Sequence, residues 1–327
     1  VCSSDLTLFA YGISGSGKTH TIEGTSEQPG ILPRVAEYLF SHIETVSDKD
    51  YFVEFSAIQV YMEKTYDLLD SGKEVKLRTV KEDVFFEEPY KPTKVTSLEQ
   101  LMEQYKKAQK SKVVAFTMMN SASTRGHVIY SIQVTSRHVD SGKTTQSKFN
   151  LVDLSGSERV LNSGVTGERL RESITINQSL STLVMVVEAL VDKKSIRHKM
   201  PPFRDSKLTL MLRDSLGGKC LTNMIITVSP ALYHAAESLR TLQFGSMVKF
   251  ITNKPTENYV ENKYFNREQY YAPKPKQEPK KIVVELPWKG FNPKLEQYLL
   301  DTKFGKINVI DNGASAERKS LIILMHA

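Results

Sequence analysis

Apolar and polar residues alternate most cleanly from Val128 to Val134. Val128, Tyr130, Ile132 and Val134 are apolar there, while Ser131 and Gln133 are polar. This period of two predicts a strand with unlike faces. Tyr51 to Met62, dense in aromatic and β-branched residues, predicts a second strand. Leu6 to Tyr11 (LTLFAY), Phe149 to Leu154 and Asn223 to Val228 are short, mostly apolar runs, as buried central strands should be. Elsewhere the period lengthens. Leu98, Leu101, Met102, Tyr105 and Ala108 share one helical face, opened by a capping box of Ser97 and Gln100. Leu180, Leu183, Val184, Val187, Leu190 and Val191 repeat the same spacing. Strands and helices intermixed over roughly 250 residues predict an α/β fold: a central, mostly parallel twisted sheet with helices on both faces.

The pattern changes near Asn253. Tyr271 to Lys281 holds three prolines and four lysines, which predicts a semi-extended linker. Beyond it, Ile307 to Ile310 and Leu321 to Met325 predict two more strands. The expected organisation is a main domain over 1–254, a linker over 255–285, and the start of a possible second α/β domain over 286–327. No internal repeat or heptad seam is visible.

Composition narrows the class. The 327 residues are 40% hydrophobic and 25% charged, ordinary for a globular chain. No apolar run approaches the ~20 residues of a membrane helix, and Val1 to Tyr11 lacks the basic start and cleavage site of a signal peptide. Cys2 and Cys220 are too few for a disulfide framework, so a reducing cytoplasm is expected. The net charge of +7 fits an acidic partner or simple solubility equally well. Position says more. Lys193, Lys194, Arg197, His198, Lys199, Arg204 and Lys207 fall in one short segment, which would suit nucleic acid, an anionic membrane or an acidic protein polymer.

The strongest chemical signal is Gly12-Ile13-Ser14-Gly15-Ser16-Gly17-Lys18-Thr19, which fits G-x-x-x-x-G-K-[ST] between a predicted strand and a predicted helix. A glycine-rich turn points successive backbone N–H groups inward around phosphate oxygens, and the following helix offers its positive end to the same anion. Lys18 would reach the β- and γ-phosphates of ATP, and the Thr19 hydroxyl would coordinate Mg²⁺. His20 completes the candidate nucleotide-contacting set.

The neighbours of this loop carry a family resemblance. Phe9-Ala10-Tyr11-Gly12 leading into Gly17-Lys18-Thr19-His20-Thr21 resembles the kinesin phosphate loop. Asn120 to His127 resembles the kinesin switch I pattern N-x-x-S-S-R-S-H. Asp153-Leu154-Ser155-Gly156-Ser157-Glu158 resembles switch II, D-x-A-G-S-E. Asn177 to Ser181 resembles the start of the relay helix. Phe203 to Thr209, with Asp214 to Gly218, is similar to the family's microtubule-facing loop and helix. The five matches span roughly Leu6 to Lys254 in the family's order.

Residue types fit the chemistry that the resemblance implies, a microtubule-stimulated ATP hydrolysis in the cytoplasm. Asp153 ends a buried strand and would hold Mg²⁺. Gly156 can offer its N–H to the γ-phosphate, since no side chain blocks the approach. Ser123 and Thr124 supply hydroxyls for phosphate, Mg²⁺ or water. The resemblance also implies a salt bridge between Arg125 and Glu158 that closes the site. Thr124, Gly126, Ser155 and Val184 depart from the family pattern, and Gly126 loses a hydroxyl. A non-catalytic or weakly catalytic microtubule-binding module is therefore the alternative.

Tubulin is acidic, so the resemblance selects microtubules, rather than nucleic acid or membrane, as the partner of Lys193, Lys194, Arg197, Lys199, Arg204 and Lys207. Arg169 and Arg171 are second candidates. Lys249 to Pro255 resembles the start of a neck linker, which docks and releases with nucleotide state. Known kinesin motors carry a substantial stretch before the phosphate loop that supplies a central strand. Val1 to Asp5 does not resemble it, so poor stability and weak nucleotide binding are expected of the chain as written.

Overall fold

The computed structural model describes residues 4–80, 83–118, 126–158, 168–192, 200–260, 297–302, 305–311 and 320–325. In chain order the elements are β1 (Leu6–Tyr11), α1 (Lys18–Ile22), α2 (Ile31–Thr45), β2 (Lys49–Tyr61), β3 (Lys64–Asp67), β4 (Lys73–Val75), β5 (Leu77–Val80), β6 (Asp83–Phe86), β7 (Thr93–Val95), α3 (Leu98–Met118), β8 (His127–His138), β9 (Thr144–Asp153), α4 (Glu168–Val191), α5 (Lys207–Met211), β10 (Leu221–Val228), α6 (Ala235–Val248), β11 (Tyr259–Val260), β12 (Gln297–Thr302), β13 (Gly305–Asp311) and β14 (Ser320–Met325).

Twelve strands form one sheet, whose main path runs β12-β13-β14-β10-β1-β9-β8-β2-β3-β4. The α/β class holds, but parallel pairing is confined to β9-β1-β10-β14, and the other pairs are antiparallel. The sheet is mixed because its second half is built from short connections. Met62 and Glu63 alone join β2 to β3, and Val139 to Lys143 join β8 to β9. Links that short permit only antiparallel pairing. The outer edge of β10 is paired in parallel by β14, from Asn223↔Ser320 to Val228↔Met325. That pairing satisfies the outer ladder of β10.

Alternation along the strands feeds two cores. Leu8, Ala10, Phe55, Ala57, Val128, Tyr130, Ile132 and Leu151 pack with Leu32, Leu39, Leu101 and Tyr105 of α2 and α3. On the other face Phe9, Tyr11, Ile129, Val152, Met224 and Ile226 pack with Leu180, Leu183, Val187 and Phe244 of α4 and α6. The polar positions of β8 also find partners: Ser131 Oγ donates to Asn150 Oδ1 at 2.6 Å, and Gln133 Nε2 donates to Glu54 Oε2 at 2.9 Å. The helix start read at Ser97 is present with a shifted box. Ser97 Oγ accepts from the Gln100 N–H at 3.3 Å, while the Gln100 side chain accepts from the Thr96 N–H at 2.9 Å. Among the described residues, no helix is long and apolar enough to cross a membrane, and Cys220 is a buried free thiol.

Past α6 the chain lies docked on the sheet. Asn253 Nδ2 donates to the carbonyls of Cys220 (2.8 Å) and Ser215 (2.9 Å), and its Oδ1 accepts from the Gly217 N–H at 2.8 Å. Further on, Asn258 Nδ2 donates to Asp5 Oδ1 at 2.9 Å, and β11 pairs antiparallel with β9.

Candidate nucleotide site

The phosphate loop leaves β1 at the centre of the parallel strands, so its position is set by β9 on one side and β10 on the other. Gly17 caps α1 with φ of 99°, a left-handed conformation that other residues adopt only with strain. Ser16 Oγ donates to the Ile13 carbonyl at 2.7 Å and lies 2.6 Å from Thr227 Oγ1 at the end of β10. Lys18 is buried, and its Nζ donates to the carbonyls of Gly12 (3.0 Å) and Ile13 (2.8 Å). Burial pushes its pKa down, against the opposing charges of Asp153 and Glu158.

Asp153 ends β9 beside this lysine. Its Oδ2 accepts from the Thr19 hydroxyl at 2.7 Å and from Lys112 Nζ at 3.3 Å. Its Oδ1 is buried with no partner among the described residues. Burial raises the Asp153 carboxyl pKa, and the Lys112 charge opposes that rise. Lys112 of α3 also donates to Glu23 Oε1 at 2.9 Å. Glu23 further accepts from Gln109 Nε2 (3.0 Å) and the Tyr130 hydroxyl (2.8 Å). Burial alone would lower the Lys112 pKa, but Asp153 and Glu23 outweigh it, and the ammonium is held charged. Glu23 and Lys112 were not singled out from the sequence. Neither lies in a recognisable motif, and only folding brings them to Asp153.

The segment after Asp153 turns onto the loop. Glu158 Oε2 accepts from the Ser14 N–H at 2.9 Å, and its Oε1 accepts from the Ser14 hydroxyl at 2.5 Å. The Ser157 N–H donates to the Gly12 carbonyl at 3.1 Å. Gly156 sits where a Cβ would fall 2.2 Å from Glu158 Oε2 and 2.3 Å from Ser14 Oγ. Ser123, Thr124 and Arg125 lie outside the described residues, as do Lys193, Lys194, Arg197 and Lys199. Arg204 is exposed and Lys207 half-buried, both away from the phosphate loop in sequence and close to one another at the start of α5.

His127 connects the two segments that the sequence matched to switches. Its Nδ1 accepts from the Ser155 N–H at 3.0 Å, so the proton sits on Nε2, 2.7 Å from Ser179 Oγ of α4. Gly126 before it is packed so that a Cβ would meet Gln59 Nε2 at 2.5 Å, so a serine there would displace a buried amide. Burial, with the Lys18 charge second, pushes the His127 pKa from 6.5 down to about 3. The unfolded chain therefore takes up a proton below pH 6.5 that the folded chain refuses. The stability from neutral His127 is complete above pH 6.5 and falls away as pH drops toward 3, a total on the order of 4 kcal/mol. Melting temperature should drop more steeply between pH 7 and 5 for the native chain than for His127→Asn. Parallel pH profiles would sink this account.

Comparison with known proteins gives a family match. The kinesin motor domain family model matches residues 3–251. Kinesin-like protein 3 of Schizosaccharomyces pombe is 42% identical over 259 residues, covering 77% of this chain and 46% of its own length. The kinesin heavy chain of Syncephalastrum racemosum is 40% identical over 258 residues, covering 77% and 27%. The chain thus spans less than half the length of these relatives. Among solved structures, a fast kinesin superposes with a TM-score of 0.72 at 37% identity, covering 81% of this chain and 75% of that one. A KIF14 dimer with AMP-PNP in complex with a microtubule gives 0.70 at 34% identity, covering 81% and 77%. With the loop, Asp153, Gly156 and Glu158 assembled as described, this chain belongs to the kinesin motor domain family.

Proposed function

We propose that the chain is the engine of an ATP-driven microtubule motor, in which hydrolysis at the phosphate loop is coupled to track binding and to movement of the segment after α6. The observation that carries this reading is the double contact of Glu158 with Ser14. It ties the segment after Asp153 to the loop that would hold the phosphates, around the narrow position of Gly156.

The residues fit ATP and Mg²⁺. The orphaned Asp153 Oδ1 and the neighbouring Thr19 hydroxyl form a small hard-oxygen set, which suits an ion that keeps several waters and shares phosphate oxygens. Thr19 and Asp153 would hold Mg²⁺, with Thr124 a further candidate. When bound, the ion neutralises charge on the phosphates. Gly12, Ile13, Ser14, Gly15, Ser16 and Gly17 line the phosphates with backbone N–H groups, and His20 follows on α1. The Lys18 ammonium exchanges two loop carbonyls for phosphate oxygens. The Gly156 N–H orients toward the terminal phosphate. Ser123 and Thr124 place the attacking water, and Arg125 competes with Ser14 for the Glu158 carboxylate. His127 carries a change at Ser155 to α4 through Ser179.

Arg204 and Lys207, with Lys193, Lys194, Arg197 and Lys199, form the track-facing set, whose attraction weakens with added salt because charges in water are screened within ~8–10 Å. Output passes through Lys249 to Pro255, docked here by Asn253, into a linker over 255–285. The place of work is the cytoplasm, on microtubules. A second reading, a weakly catalytic microtubule-binding module, draws support from Gly126, which brings no hydroxyl and sits against Gln59.

Steady-state ATPase of the full chain, with and without microtubules, tests both. Stimulation of at least tenfold that Lys18→Ala abolishes is expected; removal of the phosphate-binding cation takes about 3 kcal/mol or more from the transition state. Microtubule binding without stimulation would favour the second reading.

A further inference from the structure

The turn from β2 to β3 consists of Met62 and Glu63, with φ of 49° and 56°. Both central residues of such a tight hairpin turn are left-handed, which favours glycine, asparagine or aspartate. A glutamate there carries backbone strain, and its side chain has a use elsewhere. Glu63 Oε1 accepts from the Ser206 hydroxyl at 2.9 Å, and Oε2 accepts from the Lys207 N–H at 2.6 Å. Ser206 is the N-cap of α5, and its oxygen in turn accepts from the Leu208 N–H at 3.2 Å. The carboxylate thus takes an N–H that α5 cannot satisfy itself and fixes the rotamer of the cap. Its charge also complements the positive end of the helix. The partners stand 143 and 144 residues away in sequence.

The clamped helix begins with Lys207, three residues after exposed Arg204. We infer that Glu63 is a positioning residue for the track-facing basic segment. By capping α5 from the β2–β3 turn, it fixes the direction in which Lys207 and Arg204 meet an acidic protein polymer. The inference rests on the function proposed above and adds a residue that no charge argument would select, since an acidic side chain near that face should repel the track. Its effect comes through geometry.

The test is microtubule-stimulated ATPase of the full chain bearing Glu63→Ala, Glu63→Gln, Lys207→Ala, Arg204→Ala and the double variant Glu63→Ala/Lys207→Ala. Glu63→Ala should raise the microtubule concentration for half-maximal stimulation about fivefold, the scale of a lost helix cap. The limiting rate and the KM for ATP should move less than about twofold, because a cap on α5 is remote from the transition state. Glu63→Gln keeps one acceptor and should fall between, which preserves the test if the alanine variant folds poorly. The double variant should lose less than the sum of the two single variants, because part of the effect of Glu63 passes through Lys207. Additive losses, or an unchanged half-saturation in both Glu63 variants, would overturn the inference while Lys207→Ala and Arg204→Ala still weaken binding. If those two variants leave half-saturation unchanged, it is the track-facing assignment that fails.

Discussion

Gly156→Ala should reduce ATP turnover by about a hundredfold or more, the scale of losing one oriented backbone donor at a transition state. Two effects combine. The methyl group would start 2.2 Å from Glu158 Oε2 and 2.3 Å from Ser14 Oγ. Real atoms cannot share that space, so Glu158 must leave Ser14 or the segment after Asp153 must shift outward. An outward shift of that segment carries the Gly156 N–H away from the terminal phosphate, and the added methyl crowds its approach even where the side chains swing aside. Affinity should change far less, because Lys18, Thr19 and the loop N–H groups are untouched. Single-turnover hydrolysis alongside titration with a fluorescent ATP analogue separates the two quantities. Near-native hydrolysis in the variant would mean that this N–H takes no part.

Lys112→Met should destabilise the fold by about 3–5 kcal/mol, because it strips the cation from two buried carboxylates at once. The Glu23 and Asp153 side chains are only 7% and 6% exposed beside Lys112. The Tyr130 and Gln109 contacts to Glu23, and the Thr19 contact to Asp153, cannot replace a charge. The pH dependence identifies the cause. Without Lys112 the folded-state Asp153 carboxyl pKa rises further above its unfolded value, so the folded variant binds a proton that the unfolded chain releases. Its deficit should therefore shrink as pH falls through that raised Asp153 value, and be largest near pH 8. Denaturant unfolding at pH 8 and pH 6 checks this. A deficit that does not change with pH would point to lost packing. Adding Glu23→Gln to Lys112→Met should recover part of the loss at pH 8.

The strands and helices legible in the sequence were those with long periodicity or with a continuous apolar run, as in β1 and β10. Val128 to Val134 and Leu98 to Ala108 lie in β8 and α3, because alternation over many residues leaves only one face to bury. The short β3 to β7 strands have three or four residues of pattern each, and a pattern that brief fits several conformations. The expected parallel pairing is present over β9-β1-β10-β14, and antiparallel pairs complete the sheet, those of β2-β3 and β8-β9 across links too short for a crossover. Strand direction is a property of the link between strands and does not show within either one.

By itself the sequence carried the phosphate-loop pattern, an acid at the end of a strand at Asp153, a glycine at Gly156 and the resemblance to the family, because those patterns are written in contiguous residues whose backbone geometry is local. Only the tertiary structure decided that Lys112 and Glu23 hold Asp153, that Glu158 rests on Ser14, that His127 is buried neutral between Ser155 and Ser179, and that Glu63 caps α5. Each of these is a charge or hydrogen bond between residues far apart along the chain. Such a bond leaves no period, spacing or composition to read, and exists only once the sheet has brought its ends together.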